Sequence, residues 1–374
     1  MGVKKGISRV TGFVIWILSI GLALCLSGSY INPSKWPIFG LLSLMIGPLI
    51  VLNIIALIYA FARKKTMGYF TLLILLFSIP QINNLWARKL AKKQPSAAQQ
   101  PFKILTYNVR NFDLYNWSNN NDSRTEIFNT LKSANPDVIC FQEFYSQPNS
   151  DWDNIARLKS KLGLPYYYFT RELVLKEGRQ WGIATFSKYP IITYDDLLRS
   201  EEVNNRGNYP NKAIYTDIAL PNDTIRLINT HLASIYLNQD DYTTIEKLSE
   251  QEKISYERSK PIISKLLKAY RKRGRQVQQL KDFLSTPDQP YPLIIAGDFN
   301  DLPTSYAYNS LSKHFNDAFL KTSWGAGATY NGLIPALRID FMLVDKQLDI
   351  AAAEIIDLKI SDHLPLLVTL DLNK

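Results

Sequence analysis

"LIIAGDFNDLP", Leu293–Pro303, runs four apolar residues into a glycine and then into Asp298, Asn300 and Asp301. Asp298 and Asn300 are two positions apart, so in extended chain both side chains leave on the same side. Gly, Asp, Asn and Pro are also the ordinary residues of chain reversal. Alone, the stretch reads equally as a strand entering an Asx turn or as an active site at the carboxyl end of a strand.

The rest of the chain weighs toward a site. "ILTYN" delivers Asn108, "DVICFQE" delivers Glu143, and "IRLINTH" delivers His231. "LRID" places Asp340 at the start of an apolar run, and "ISDH" ends in Asp362 and His363. Each has a plain structural explanation as a cap, a surface acid or a turn residue. Together with Asp298 and Asn300 they gather carboxylates, amides and two of the three histidines, a coincidence that turn chemistry does not explain. The third, His314 in "LSKHFND", reads as a surface residue.

Carboxylates and amides are hard oxygen donors, suited to Mg2+, with Mn2+ as the alternative, rather than to zinc. Such an ion assists phosphate-ester hydrolysis by neutralising phosphoryl oxygens and stabilising the leaving oxygen. A carboxylate–histidine pair orients or activates water, and an amide N–H holds developing charge. No GxSxG elbow competes as a covalent nucleophile. Cys25 and Cys140 lie in apolar runs, with spacing that suits neither a disulfide framework nor zinc.

Strand candidates from "KILTYNV" to "LPLLVTLDL" number about nine, several alternating with period two. Helical spacing covers Arg124–Ser133, Ile155–Leu162 and much of Tyr242–Leu284. The basic residues of this last segment (Lys265, Lys268, Arg271, Lys272, Arg275) read as a solvated face. Many strands with few crossover helices point to an α/β arrangement of two packed sheets flanked by helices.

The motifs in "TYNVRN", "FQE", "NTHL", "GDFND", "RIDF" and "SDHLP", with the Gly-led "WGIATFSKYPI", resemble the endonuclease/exonuclease/phosphatase superfamily over residues 102–374, in family order. The resemblance implies a four-layer α/β sandwich of two mixed β-sheets and a divalent-metal-dependent hydrolase of phosphate esters. Carried over, Glu143 is the principal metal ligand, with Asn108 beside it and Asp362 near the ion. Asp298 aligns or deprotonates water, Asn300 contacts the scissile phosphate, and Asp340 orients His363, which contacts phosphate or acts as base. His231 serves the phosphate or leaving group. The substrate is then a lipid head group, a nucleotide or nucleic acid; no protein partner is implied. An extracytoplasmic nuclease and a catalytically dead phospho-ligand-binding module remain as alternatives.

Composition separates this part from what precedes it. Residues 1–100 hold no Asp or Glu and eleven Lys plus Arg, which leaves residues 101–374 at −1 against a whole-chain +10. A near-neutral domain argues against tight duplex binding through phosphates. Uncharged runs at Gly12–Tyr30, Pro37–Phe61 and Met67–Ile82 read as a transmembrane region of two to three spans within residues 1–82. Residues 83–101, rich in Lys, Gln, Ala and Pro, read as a juxtamembrane linker. Lys4, Lys5 and Arg9, and then Arg63, Lys64 and Lys65, belong in the cytoplasm by the positive-inside bias. With three crossings the catalytic domain is extracytoplasmic, periplasmic in a bacterium. Arg88, Lys89, Lys92 and Lys93 oppose that reading from the outer flank of the third run.

Overall fold

Leu366, Val368 and Leu370 alternate with half-buried neighbours along β14 (Leu366–Asp371). The same period recurs across a computed structural model of the chain, which describes residues 2–89, 101–198, 212–235, 241, 243, 256–287, 289–332 and 336–371. The chain divides into two compact units.

The larger unit holds two six-stranded mixed sheets. One has the order β13 (Asp349–Ile355), β14, β2 (Phe102–Asn108), β3 (Val138–Ser146), β5 (Gln180–Ser187), β4 (Tyr166–Val174). The other has the order β10 (Phe315–Asp317), β12 (Asp340–Asp345), β9 (Leu293–Asp298), β8 (Thr224–His231), β7 (Ala213–Ala219), β6 (Ile191–Asp196). Each contains one parallel pair, β2 with β3 and β8 with β9, flanked by antiparallel neighbours. A two-residue ladder joins β1 (Ala87–Arg88) to β11 (Trp324–Gly325).

The sheets pack face to face. Phe102, Ile104, Val138, Cys140 and Val368 from one meet Ile225, Leu227, Ile294, Ala296 and Met342 from the other. The opposite side of the first sheet buries Leu105, Tyr107, Ile139 and Phe141 against Ile127, Phe128 and Leu131 of α6 (Ser123–Ala134) and Leu158 of α7 (Asn154–Leu162). β2 and β3 are therefore covered on both faces, which is why they read as nearly unbroken apolar runs. Each such Leu, Ile or Phe contributes about 1.5–3 kcal/mol by leaving water. The second sheet carries the end of α8 (Tyr256–Leu284), where Phe283 stacks on Tyr215 at 5.4 Å.

The nine expected strands are present, as are the three expected helices, the third described over Tyr256–Leu284; residues 242 and 244–255 of its expected range lie outside the described residues. Unforeseen were β6, β10, β13, the two-residue ladder, and the short helices α9 (Tyr306–Ser312) and α10 (Ala318–Thr322). The linker reading falls mostly on residues 90–100, outside the described residues, as do Lys92 and Lys93. His314 is exposed and both cysteines are buried and free.

The smaller unit gathers the amino-terminal helices, α8 through Arg275, and Leu302–Ser310. α1 (Gly2–Ser27) is long and apolar enough to cross a membrane over Val10–Ser27, with mean hydropathy 2.2. The second apolar run is not one helix: α2 (Pro37–Ser43) and α3 (Ile46–Ala62) meet at 52°. The third divides likewise into α4 (Met67–Phe77) and α5 (Ile79–Leu85) at 54°. Pro48 has no N–H for the Leu44 carbonyl and Pro80 none for that of Leu76, so each helix breaks just before its proline. The unit counts as up to three spans if each bent pair is one.

Candidate active site

The site is made by register. His231 at the end of β8 lies opposite Asp298 at the end of β9, and Asp298 lies opposite Asp340 at the start of β12. These side chains form one row across three neighbouring strands. In the other sheet Asn108 ends β2, and Glu143 leaves β3 at an irregularity between Phe141 and Phe144 in its pairing with β5. Glu143 has φ +50°, a left-handed conformation that a non-glycine residue adopts at a cost and that turns its side chain off the strand's alternation.

The Asp298 carboxylate is the hub. Its Oδ2 accepts from Asn108 Nδ2 at 3.1 Å and from Asn300 Nδ2 at 3.0 Å. The same oxygen lies 3.6 Å from His231 Nε2 and 3.7 Å from His363 Nε2. Its Oδ1 accepts the Asn300 backbone N–H at 2.7 Å, the Asx turn of "GDFN". The two readings of that stretch are thus one arrangement, in which the turn holds the acid.

His363 Nδ1 meets both oxygens of Asp340, at 2.9 and 3.1 Å, with both residues buried. Asn108 Nδ2 also reaches Glu143 Oε1 at 3.3 Å, while its Oδ1 accepts the Arg110 N–H at 3.1 Å. Asn108 therefore shows its N–H side to both acids. The second hydrogen of Asn300 Nδ2 goes to the Leu232 carbonyl at 3.0 Å, so both amide hydrogens are engaged within the protein. Seven expected residues, Asn108, Glu143, His231, Asp298, Asn300, Asp340 and His363, are thereby linked. Asp362 stands at the edge, its carboxylate 3.7 Å from Arg110 Nε and 3.3 Å from Ser361 Oγ.

Several supporting residues escaped the sequence reading. Thr329, fully buried, takes the N–H groups of Ile339 and Asp340 on its hydroxyl oxygen at 3.1 and 3.0 Å, fixing the start of β12. Ser361 Oγ donates to the Asn108 carbonyl at 2.9 Å and accepts the His363 N–H at 3.1 Å, tying the end of β2 to the segment that carries His363. The Tyr330 ring meets the His363 imidazole edge-on at 5.2 Å. Beneath the site, buried Gln142 donates to Asn229 Oδ1 at 2.7 Å across the sheets. "FQE" and "INTH" contain these last two residues, but nothing in a sequence marks which strands face each other. Thr329 carries no local signal, and Ser361 is marked only as part of "SDHLP".

The electrostatics are those of crowded acids. Burial pushes the Asp298 carboxyl above its ordinary pKa, His363 draws it back, and Asp340 adds to the rise. Burial, and then Asp362, push Glu143 up as well. Burial opposes charging of His363, but Asp340 and Asp298 hold its pKa well above the usual imidazole value. Glu143, Asp298, Asp340 and Asp362 share a small space with two histidines and one arginine. Asp298, Asp340 and His363 bring ligand atoms within 4.8 Å of one another, although His363 already has Asp340 on its Nδ1. An all-oxygen carboxylate set short of positive charge fits a divalent hard cation.

A model of the endonuclease/exonuclease/phosphatase family matches residues 105–363. The chain belongs to this family. The enzymes of the endonuclease/exonuclease/phosphatase family are metal-dependent hydrolases of phosphate esters, nucleases among them. A second model, a domain of unknown function, matches residues 8–85. No curated protein sequence matches the chain. Among solved structures, an endonuclease/exonuclease/phosphatase family protein from Leptotrichia buccalis aligns at 18% identity and TM-score 0.50, over 72% of this chain and 99% of that one. The human nocturnin catalytic domain aligns at 19% identity and TM-score 0.50, over 75% and 95%. At these identities the likeness speaks for the shared fold.

Proposed function

We propose that this protein is a membrane-embedded phosphoesterase that hydrolyses a phosphodiester or phosphomonoester by attack of water, with Mg2+ or Mn2+ as cofactor. The observation that carries the reading is the convergence of Asn108, Asn300, His231 and His363 on one oxygen of buried Asp298. In this reading Glu143 and Asp362 hold the ion, with Asn108 beside them locking Glu143 and Asp298. When bound, the ion neutralises phosphoryl oxygens and stabilises the leaving oxygen. Asp298 accepts a hydrogen bond or proton from the attacking water, and Asp340 holds His363 in place to do the same or to bind the phosphate. His231 sits on the opposite flank of Asp298, toward the leaving group. Asn300 fixes Asp298, and contacts the phosphate by exchanging one of its two present bonds.

The chain is read as a membrane region over residues 1–82, a linker over 83–101 and a catalytic domain over 102–374. The two family matches, 8–85 and 105–363, support this division. The helical unit also supports a bilayer environment, because its polarity is inverted. Ser19 Oγ donates to Asn53 Oδ1 at 2.9 Å and lies 3.0 Å from Thr71 Oγ1, all buried, while Phe13, Ile17, Ile55, Ile58 and Phe77 point outward. Polar groups joining apolar helices from within are the pattern expected in lipid.

The extracytoplasmic reading draws on the same unit. Lys65 Nζ donates to Thr11 Oγ1 at 2.9 Å, so the basic turn lies at the amino-terminal end of α1. At the far end Gln81 bonds Tyr30 Oη at 2.9 Å, and Ser29 Oγ donates to the Thr304 carbonyl at 2.6 Å. Three crossings with the basic end inside carry Thr304 and the catalytic domain outside.

The full chain in detergent should hydrolyse bis-p-nitrophenyl phosphate with Mg2+ and lose this on addition of EDTA, in Asp298→Ala and in His363→Ala. Turnover surviving both substitutions would sink the assignment. A panel of nucleic acid, phospholipid and inositol phosphates then names the substrate, and a carboxyl-terminal alkaline phosphatase fusion reads the side of the membrane.

A further inference from the structure

Arg110 follows Asn108 by two residues and has no part in the reading above. Arg110, Asn111, Phe112 and Asp113 have φ of 43°, 57°, 56° and 57°, four left-handed non-glycine residues in succession. Such a run persists only where its surroundings impose it. Here Phe112 is fully buried, 5.8 Å from Phe128 in a stacked pair and 5.4 Å edge-on from Phe144. Asp113 accepts from the N–H of Ser118 at 3.3 Å and from its hydroxyl. The turn carries Arg110 back over the strand end, where its N–H meets Asn108 Oδ1.

The guanidinium lies on the face of Trp117, 4.6 Å from the ring centroid, and Trp117 in turn packs at 4.9 Å against Tyr115. Stacking occupies the flat face of a guanidinium and leaves its edge N–H groups free to point at an anion. Asp362 Oδ2 is 3.7 Å from Nε, beyond hydrogen-bond distance, and the Arg110 side chain remains 32% exposed. Among the described residues its guanidinium makes no hydrogen bond. A fixed cation with unused donors thus borders Asn108 and Asp362 at the mouth of an acid-rich site.

We propose that Arg110 binds a non-bridging oxygen of the substrate's phosphate group, oriented for that task by Trp117. This rests on the phosphoesterase reading and adds a substrate-contacting residue to it. The stacked fork supplies the anion recognition that the four carboxylates cannot, and it does so beside the ion that Glu143 and Asp362 are read to hold. The competing account makes Arg110 only a counter-charge for Asp362.

The test uses the full chain in detergent with Mg2+ and two readouts: calorimetric titration with inorganic phosphate, and kinetics on bis-p-nitrophenyl phosphate. Arg110→Ala should weaken phosphate binding about tenfold or more and raise KM comparably, the scale of one charge-assisted hydrogen bond. Arg110→Lys should recover only part, because an ammonium cannot stack. Trp117→Ala should weaken binding about threefold, with Trp117→Phe restoring it. In the Asp362→Asn background Arg110→Ala should still weaken phosphate binding; loss of its effect there would make Arg110 a partner of Asp362 alone. Phosphate affinity and KM within about twofold of wild type in Arg110→Ala would overturn the proposal, given thermal melts showing both proteins folded. A wild-type chain that binds phosphate through Arg110 without turning over substrate would refute the phosphoesterase reading but leave this one standing. Absence of both activities overturns both.

Discussion

Asp340→Asn is the substitution whose effect follows most directly from the geometry. Both Asp340 oxygens lie on His363 Nδ1, at 2.9 and 3.1 Å, and the pair is buried. The amide keeps the size of the side chain and removes the charge. A hydrogen bond to a charged group is worth about 1.5–3 kcal/mol, which at 1.36 kcal/mol per decade is roughly 10–150-fold in rate. Burial places the expected loss in kcat near the upper end, about 100-fold, with KM within about threefold because Asp340 is proposed to act through His363. Asp340 also helps raise the His363 pKa, so its removal should lower that pKa. If neutral His363 is the base, the acid limb of the kcat/KM profile moves to lower pH as the plateau falls. Steady-state kinetics on bis-p-nitrophenyl phosphate across pH, for Asp340→Asn, His363→Ala and the double variant, measure all of this. Because the residues act as a unit, the double variant should be about as slow as His363→Ala. A kcat above about one third of wild type in Asp340→Asn, or double-variant losses equal to the product of the singles, would refute the reasoning.

Cation binding should show in stability as well as in rate. Burial pushes the carboxyls of Glu143 and Asp298 above their ordinary pKa. The folded chain then holds protons that the unfolded chain releases, and these two groups remove stability as pH rises from the ordinary carboxylate range through their raised values. Mg2+ displaces those protons, so its thermal shift should grow as pH rises from the ordinary carboxylate range through these raised values; a shift independent of pH would contradict the assignment. Gly297 has φ +138°, and a Cβ there would lie 1.9 Å from the Thr230 carbonyl oxygen. Gly297→Ala should therefore cost about 3 kcal/mol or more and displace Asp298; an unchanged unfolding midpoint would show that the β8–β9 approach is not tight.

The strands that sequence revealed were those with two covered faces or clean alternation, such as β2, β9 and β14. β13 is "DIAAAEI", whose alanines have little preference for strand, and it forms by pairing with β14. β6 has mostly exposed side chains, and its pairing with β7 holds it where its pattern does not. Pro48 and Pro80 signal the helix breaks, but a hydropathy average runs across a proline unchanged. The polar strand ends were legible because an acid or amide at the close of an apolar run conflicts with burial unless it has partners. What those partners are was not legible. Thr329 lies in a segment whose local pattern reads only as turn, and Arg110, though inside "TYNVRN", has no pattern that marks its role.

The separations from His231 to Asp298 and from Asp298 to Asp340 mean nothing until β8, β9 and β12 are neighbours, parallel in the first pair and antiparallel in the second. Side chains alternate faces along a strand, so slipping either pair by one residue would turn a member of the row to the wrong side. The buried contacts of Ile294 and Ala296 oppose such a slip, because it would also turn them out of the inter-sheet core. Gly297 lets β9 approach the Thr230 carbonyl closely, one residue before the hub. Apolar packing and acid placement are thus set by the same register. The strain that the site requires lies at Glu143, inside β3, and beyond the strand ends at Asn300 and the Arg110–Asp113 turn, all at positive φ. On the proposed reading Arg110 and Trp117 meet the phosphate that all candidate esters share, and the row beneath them carries the hydrolysis.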